Sequence, residues 1–303
     1  MQLLYWILGI VGVIALCIAG PFVVVLLRCL FSPRTRVCAE FAAAQQALDR
    51  RDFDAFDRNL ARTKQMAEEI RDEALRVQFR SSLALLSIQG AYWQGDMRIA
   101  ELTARQALEV LEAAGPGDRR GQICSAHSFL GDIFLDQDKP SQAADEFRAA
   151  AALAEGGNVP VAAIFPLQRL SDVLFEHEGR DAAAEVIERC AQIEKDHFAK
   201  NQAASNAPTI SMVAPDQSRV RGDFAAAEKL FDEKVRFFTS PAGQTDGIDV
   251  TRYQLHLAEA QNAQGKIEEA RATLAVLCSA EAKRFGPQHP RVVRYRRKLE
   301  SIQ

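Results

Sequence analysis

Apolar and small residues return along the chain at an interval of about 43. Phe56, Ala100, Ala143, Ala183, Ala227 and Ala270 follow one another with gaps of 44, 43, 40, 44 and 43. A fixed period between about 20 and 50 residues marks an array of like units, each too small to bury its apolar face without stacking on a neighbour. The third unit shows the spacing most plainly. Leu130-Gly131-Asp132-Ile133-Phe134 is followed by Ala143, Phe147 and Ala150, and apolar residues at i, i+4 and i+7 define one helix face. Gly131 and Ala143 are small where two helices must approach closely. Gln137-Asp138-Lys139-Pro140 reads as the turn between them, with Pro140 suited to a first helical turn, where no N–H partner is needed.

The other units follow in register. The second gives Tyr92-Trp93-Gln94-Gly95-Asp96, Ala100, Ala104 and Ala107; the fourth gives Leu170, Leu174, Ala183, Ile187 and Cys190; the sixth gives Leu257-Ala258, Gly265, Ala270, Leu274 and Leu277. The first departs, with Phe56 in the alanine slot and Arg51-Asp52-Phe53 at the turn, as an atypical end unit would. The fifth has a regular second helix, Gly222-Asp223-Phe224 followed by Ala227, Leu230, Phe231 and Val235. Pro208 and Pro215 fall where its first helix should lie, and an interior proline costs about 3 kcal/mol. Residues 201–216 are therefore expected to form an irregular insertion, either a lapse in the repeat or a lip on a binding groove. Pro290 opens a final capping helix, 290–303, rich in Arg291, Arg294, Arg296, Arg297 and Lys298; cations near a helix C-terminus complement its dipole.

The order of Leu-Gly, aromatic, alanine, aromatic and alanine resembles the tetratricopeptide repeat. The longer period, Arg105-Gln106-Ala107-Leu108-Glu109 and Phe285-Gly286-Pro287-Gln288-His289-Pro290 resemble its roughly 42-residue variant in kinesin light chains. The resemblance covers residues 37–303. It implies antiparallel helix pairs wound into a right-handed superhelix with a concave binding face, and it implies no chemistry.

An uncharged run from Leu3 to Leu27 precedes the array. As a helix its 25 residues would span about 37 Å, more than a hydrocarbon core of about 30 Å. A transmembrane helix is expected at 3–27; a cleaved signal peptide fits less well, since no basic residue precedes the run and it continues past Gly20-Pro21. Arg28, Arg34 and Arg36 form a basic juxtamembrane linker, 28–36, and place the following array on the cytoplasmic side. The expected fold class is thus all-α, a transmembrane helix followed by an α-solenoid of about six helix pairs over 37–289. Cys17 and Cys29 fall in the membrane region, and Cys38, Cys124, Cys190 and Cys278 lack C-x-x-C spacing, unlike a disulfide framework or zinc site.

Beyond residue 36 the chain carries 34 basic and 40 acidic side chains, a net charge of −6, which disfavours nucleic acid as a partner. His127, His177, His197, His256 and His289 lie in separate units, and Glu176-His177-Glu178 lacks zinc-ligand spacing. No catalytic or metal residues and no cofactor are assigned. The resemblance implies that the first helix of each unit lines the groove. Asp132, Asp172, Asp216 and Glu259 then hold one equivalent position in four consecutive units, a stripe that would focus negative potential. With Gln89, Ser128 and Gln168 beside them and Tyr92, Trp93, Leu135 and Phe175 as apolar anchors, they form the candidate partner-binding set, and the ligand expected is a protein or peptide, basic in character. The alternative for the acids is a solvated helix face. Function is read as a single-pass, membrane-anchored interaction scaffold, with two alternatives: an envelope assembly or secretion factor whose repeats lie outside the cytoplasm, and a structural subunit that self-associates or fills its groove with its own chain.

Overall fold

The computed structural model describes residues 33–113, 119–157, 160–201, 211–240 and 250–302. They form thirteen α-helices and one short 3₁₀ turn, Pro160–Ala163. In chain order the helices are α1 Pro33–Asp49, α2 Phe53–Glu68, α3 Glu73–Gln94, α4 Met97–Ala113, α5 Arg120–Asp136, α6 Pro140–Glu155 and α7 Ile164–His177. They continue as α8 Arg180–Asn201, α9 Ala214–Arg221, α10 Phe224–Thr239, α11 Val250–Ala263, α12 Ile267–Phe285 and α13 Pro290–Ser301. Odd-numbered helices through α11 open the six pairs, the even-numbered ones close them, and α13 is extra.

The turn inside every pair is made the same way. Arg51, Gly95, Asp138, Gly179, Gly222 and Gly265 all have positive φ, between 59° and 102°, and each hands the chain to the next helix. Asp52, Asp96 and Asp223 follow at once and accept backbone N–H groups of the helix they start, satisfying donors that have no partner in the helix. Glycine adopts this conformation without cost, so the two side-chain-bearing residues are the strained ones. Replacing Arg51 with glycine is expected to raise stability by about 0.5–1 kcal/mol, after the extra freedom of the unfolded glycine is discounted. Urea unfolding measures it.

The chain divides into two compact units, to Leu86 and from Ser87. In the first, α1 packs on α2 over Val37, Ala44, Leu48, Phe56 and Leu60, all buried. Phe56 is 1% exposed, so the phenyl ring fills the space that alanine leaves tight elsewhere. In the second unit the alanine slots Ala100, Ala143, Ala183, Ala227 and Ala270 are wholly buried, each at a crossing within its pair. The helices α5 and α6 approach closely at Gly131, where an added Cβ would stand 2.6 Å from the Phe147 ring.

Three expectations are corrected. Residues 3–27, read as a transmembrane helix, lie outside the described residues, and among the described residues no helix is long and apolar enough to cross a membrane. The longest, α3 and α8, have 22 residues each, but charged side chains such as Glu73, Arg76 and Arg80, or Arg180, Glu188 and Lys195, interrupt them. Among the described residues the fold is therefore an all-helical repeat array with no membrane-spanning helix, and the single-pass placement with a cytoplasmic array is not supported. Second, α1 begins at Pro33 and carries Arg34 and Arg36 on its exposed face, so the basic linker is partly helix. Third, of the segment 201–216 expected to be irregular, residues 202–210 with Pro208 lie outside the described residues, while Pro215 sits in the first turn of α9, where its missing N–H costs nothing; the fifth pair has a short first helix there.

Candidate functional site

The acids expected to line a groove are brought together in the second unit, but they are not free. Each meets a cation supplied by another helix. Asp132 on α5 accepts from the Arg169 guanidinium of α7, at 3.1 Å from Nε. Asp172 on α7 accepts from Arg219 of α9 at 2.7 Å and from Arg252 of α11 at 2.8 Å, with His256 Nε2 at 3.0 Å. Asp216 on α9, wholly buried, accepts from Arg252 at 2.7 Å and from the Gln168 amide at 2.8 Å. Glu259 on α11 meets His256 Nδ1 at 2.8 Å and Lys298 Nζ of α13 at 2.6 Å. The result is a ladder of alternating charge that runs across the first helices of successive pairs.

Burial and charge oppose each other here. Burial alone would raise the Asp172 carboxyl, yet Arg252 foremost, then His256 and Arg219, hold it well below the usual carboxylate range. Burial likewise opposes ionisation of Glu259, and Lys298, His256 and Arg219 overcome it. Arg252 is pushed the other way: burial disfavours its charge, and Asp172 and Asp216 restore it with room to spare. A buried ion pair gains little over an apolar pair of equal volume, but removing one member strands the other. The ladder is therefore a device that fixes which helix faces which.

The ligand atoms of Asp172, Asp216 and His256 lie within 4.8 Å of one another, a spacing that could hold a cation. Arg252 and Arg219 already bond to these carboxylates, so the positive charge a metal would bring is present as guanidinium.

The anchor residues behave differently from the acids. Tyr92 is 4% exposed and its hydroxyl donates to Asp136 at the end of α5. Its carbonyl accepts from His289 Nε2 at 2.8 Å, 197 residues further along. Trp93 meets the Phe285 ring edge to face at 5.5 Å and carries the Arg284 guanidinium over its own ring. These two rings thus tie the end of α3 to the end of α12 rather than awaiting a ligand. Phe175 is covered by the Arg219 guanidinium at 4.5 Å, a cation–π contact. Ser128 donates to Cys124 within its own helix, and Gln89 and Leu135 are half-buried outside the ladder.

Sequence reasoning missed the cations. Arg169, Arg219, Arg252, His256, Arg294 and Lys298 complete the site, and only three carried a local signal. Arg169 and His256 precede an acid of the stripe by three residues and Arg219 follows one by three, the spacing of neighbours on a helix.

Beside the ladder lies an open hollow of about 540 Å³ between α5, the end of α6 and the start of α7. Phe129, Leu153, Ala162, Phe165 and Pro166 line it, with Ser128 and Asp132 among its polar groups. Phe165 is 43% exposed, so an aromatic ring stands in solvent at its rim.

No protein-family model and no curated protein matches the chain. Solved structures do. Aspartyl phosphate phosphatase F of Bacillus subtilis aligns over 89% of this chain and 71% of its own, at 14% identity and a TM-score of 0.53. The STAND protein of Pyrococcus horikoshii, an ATPase with a tetratricopeptide repeat sensor, aligns over 84% of this chain at 16% identity and a TM-score of 0.48. This chain spans only 37% of that protein's length. A kinesin light chain-like repeat protein of Podosopora anserina aligns over 71% of this chain and 98% of its own, at 16% identity and a TM-score of 0.39. At such identities the likeness is one of fold alone. The chain is built as a tetratricopeptide-like array of helix pairs.

Proposed function

We propose that this protein is an interaction scaffold with no catalysis of its own, and that the face built by the first helices of its pairs receives a partner protein or peptide. One observation carries the reading: the hollow beside the ladder joins exposed apolar side chains to polar groups already fixed in place. Pockets of about 300–1,000 Å³, mostly apolar with a few oriented polar groups, are the usual form of a ligand site. Polar groups fixed beforehand reduce the ordering cost of binding, and Phe129 and Phe165 offer the aromatic surface that tends to dominate interface energies.

Fluorescence anisotropy with a panel of labelled peptides, basic, acidic and apolar, tests this on the full chain. Binding of at least one class is expected, weakened tenfold or more when Phe165→Asp places a charge at the rim, a cost of about 1.4 kcal/mol. Phe165 is exposed enough for that variant to fold. Binding to no class, or binding indifferent to Phe165→Asp, contradicts the proposal.

A further inference from the structure

The acidic stripe looked like a receptor for a basic ligand, and in the structure a basic helix meets one of its acids, Glu259, together with Asp136 and Glu176 outside the stripe. It is the chain's own α13. Arg291, Arg294 and Lys298 lie three and four residues apart along it, a spacing that puts them on one helix face. Arg291 Nε is 2.8 Å from Glu281 of α12. Arg294 is 3.3 Å from Asp136 at the end of α5. Lys298 meets Glu176 at the end of α7 and Glu259 of α11. The helix thus crosses three pairs and presents a cation to each.

Its apolar side chains reach the last pair. Val292, Tyr295 and Ile302 are buried, with Leu299 partly so, and Tyr295, Leu299 and Ile302 pack on the cluster around Leu255, Leu274 and Leu277. The connection to α12 is short and contains Gly286 at φ 98°, ψ 150°, a conformation open in practice to glycine only. The break between α12 and α13 therefore falls at Gly286.

Resting on the reading that this face receives a partner, we infer that the partner's binding element is a basic amphipathic helix, and that α13 is the resident competitor it must displace. A helix that replaced α13 would have to supply a cation to Asp136, whose carboxylate is buried and strongly disfavoured without one, and would gain from cations facing Glu176 and Glu259. Acidic and neutral helices are thereby rejected, which is specificity by penalty as well as by attraction. Tethered within four residues of its site, α13 acts at an effective concentration in the millimolar range, so an untethered helix binds weakly until α13 is loosened.

The probe is a labelled synthetic peptide of residues 287–303, added to the full chain and followed by anisotropy. The double variant Arg294→Glu, Lys298→Glu loosens α13 while leaving the acids of the face intact. It is expected to bind the peptide at least about tenfold more tightly than the wild type, with affinity falling as salt rises. Equal binding by both overturns the competition, and binding by neither overturns the basic helix as ligand; the receptive face itself stands or falls with the panel of basic, acidic and apolar peptides. A concentration-dependent doubling of the wild-type mass in sedimentation favours exchange of α13 between two copies and overturns a partner helix. Should the variant fail to fold, hydrogen exchange on the wild type decides: α13 amides exchanging well before those of α12 support the inference, and exchange together with α12 overturns it.

Discussion

Replacing Arg252 with methionine is expected to destabilise the unit from Ser87 to Gln303 by about 3–5 kcal/mol, the cost of stranding buried charges. Arg252 is 5% exposed and bonds to both Asp172 and Asp216, which are themselves 8% and 0% exposed. Asp172 keeps Arg219 and His256, whereas Asp216 keeps only the Gln168 amide among the partners described here. Urea unfolding measures the loss, and a change below about 1 kcal/mol would mean that the ladder is looser than its distances imply. The double variant Arg252→Met, Asp216→Leu should recover part of the loss, since an apolar pair carries no desolvation cost. pH gives an independent reading. Asp172 titrates in the folded state well below its unfolded value, so its contribution is complete above the ordinary carboxylate range and is lost as pH falls toward the folded value. Without Arg252 that depression weakens, and acid unfolding should begin at a higher pH than in the wild type.

Gly131→Ala is expected to cost about 1–3 kcal/mol, as overpacking of a filled core does. The new methyl would stand 2.6 Å from two atoms of the Phe147 ring. Phe147 is wholly buried on α6 and has nowhere to swing. A thermal midpoint lower by about 2–4 °C per kcal/mol follows for a unit of this size. Phe147→Leu in the same chain should relieve the clash, so the two substitutions should be strongly non-additive. Additive effects would mean that α5 and α6 separate easily, contrary to a tight crossing.

The period made the architecture legible because it is enforced by sterics at single positions. Ala143 or Ala183 cannot be larger without separating two helices, and the glycines at 95, 179, 222 and 265 hold positive φ. Pro140 and Pro290 marked helix starts that the structure keeps. The candidate site was legible by half. The acids could be aligned by register, but their partners come from other helices: Arg219 reaches Asp172 across 47 residues and Arg252 reaches it across 80. No local pattern encodes such a pairing, so the stripe read as a ligand surface when most of its charge is spent inside the fold. Tyr92 and Trp93 misled for the same reason, since the Phe285 and His289 that cover them lie some 190 residues away.

The last helix is latched by charge onto the first helices of pairs far from it in sequence. A double-mutant cycle on Asp136 and Arg294 tests it most directly, because the residues are 158 apart and meet only if α13 lies where the ladder puts it. With Asp136→Asn and Arg294→Gln measured singly and together, the account predicts a coupling energy of about 1–3 kcal/mol. Additivity within about 0.5 kcal/mol would contradict it.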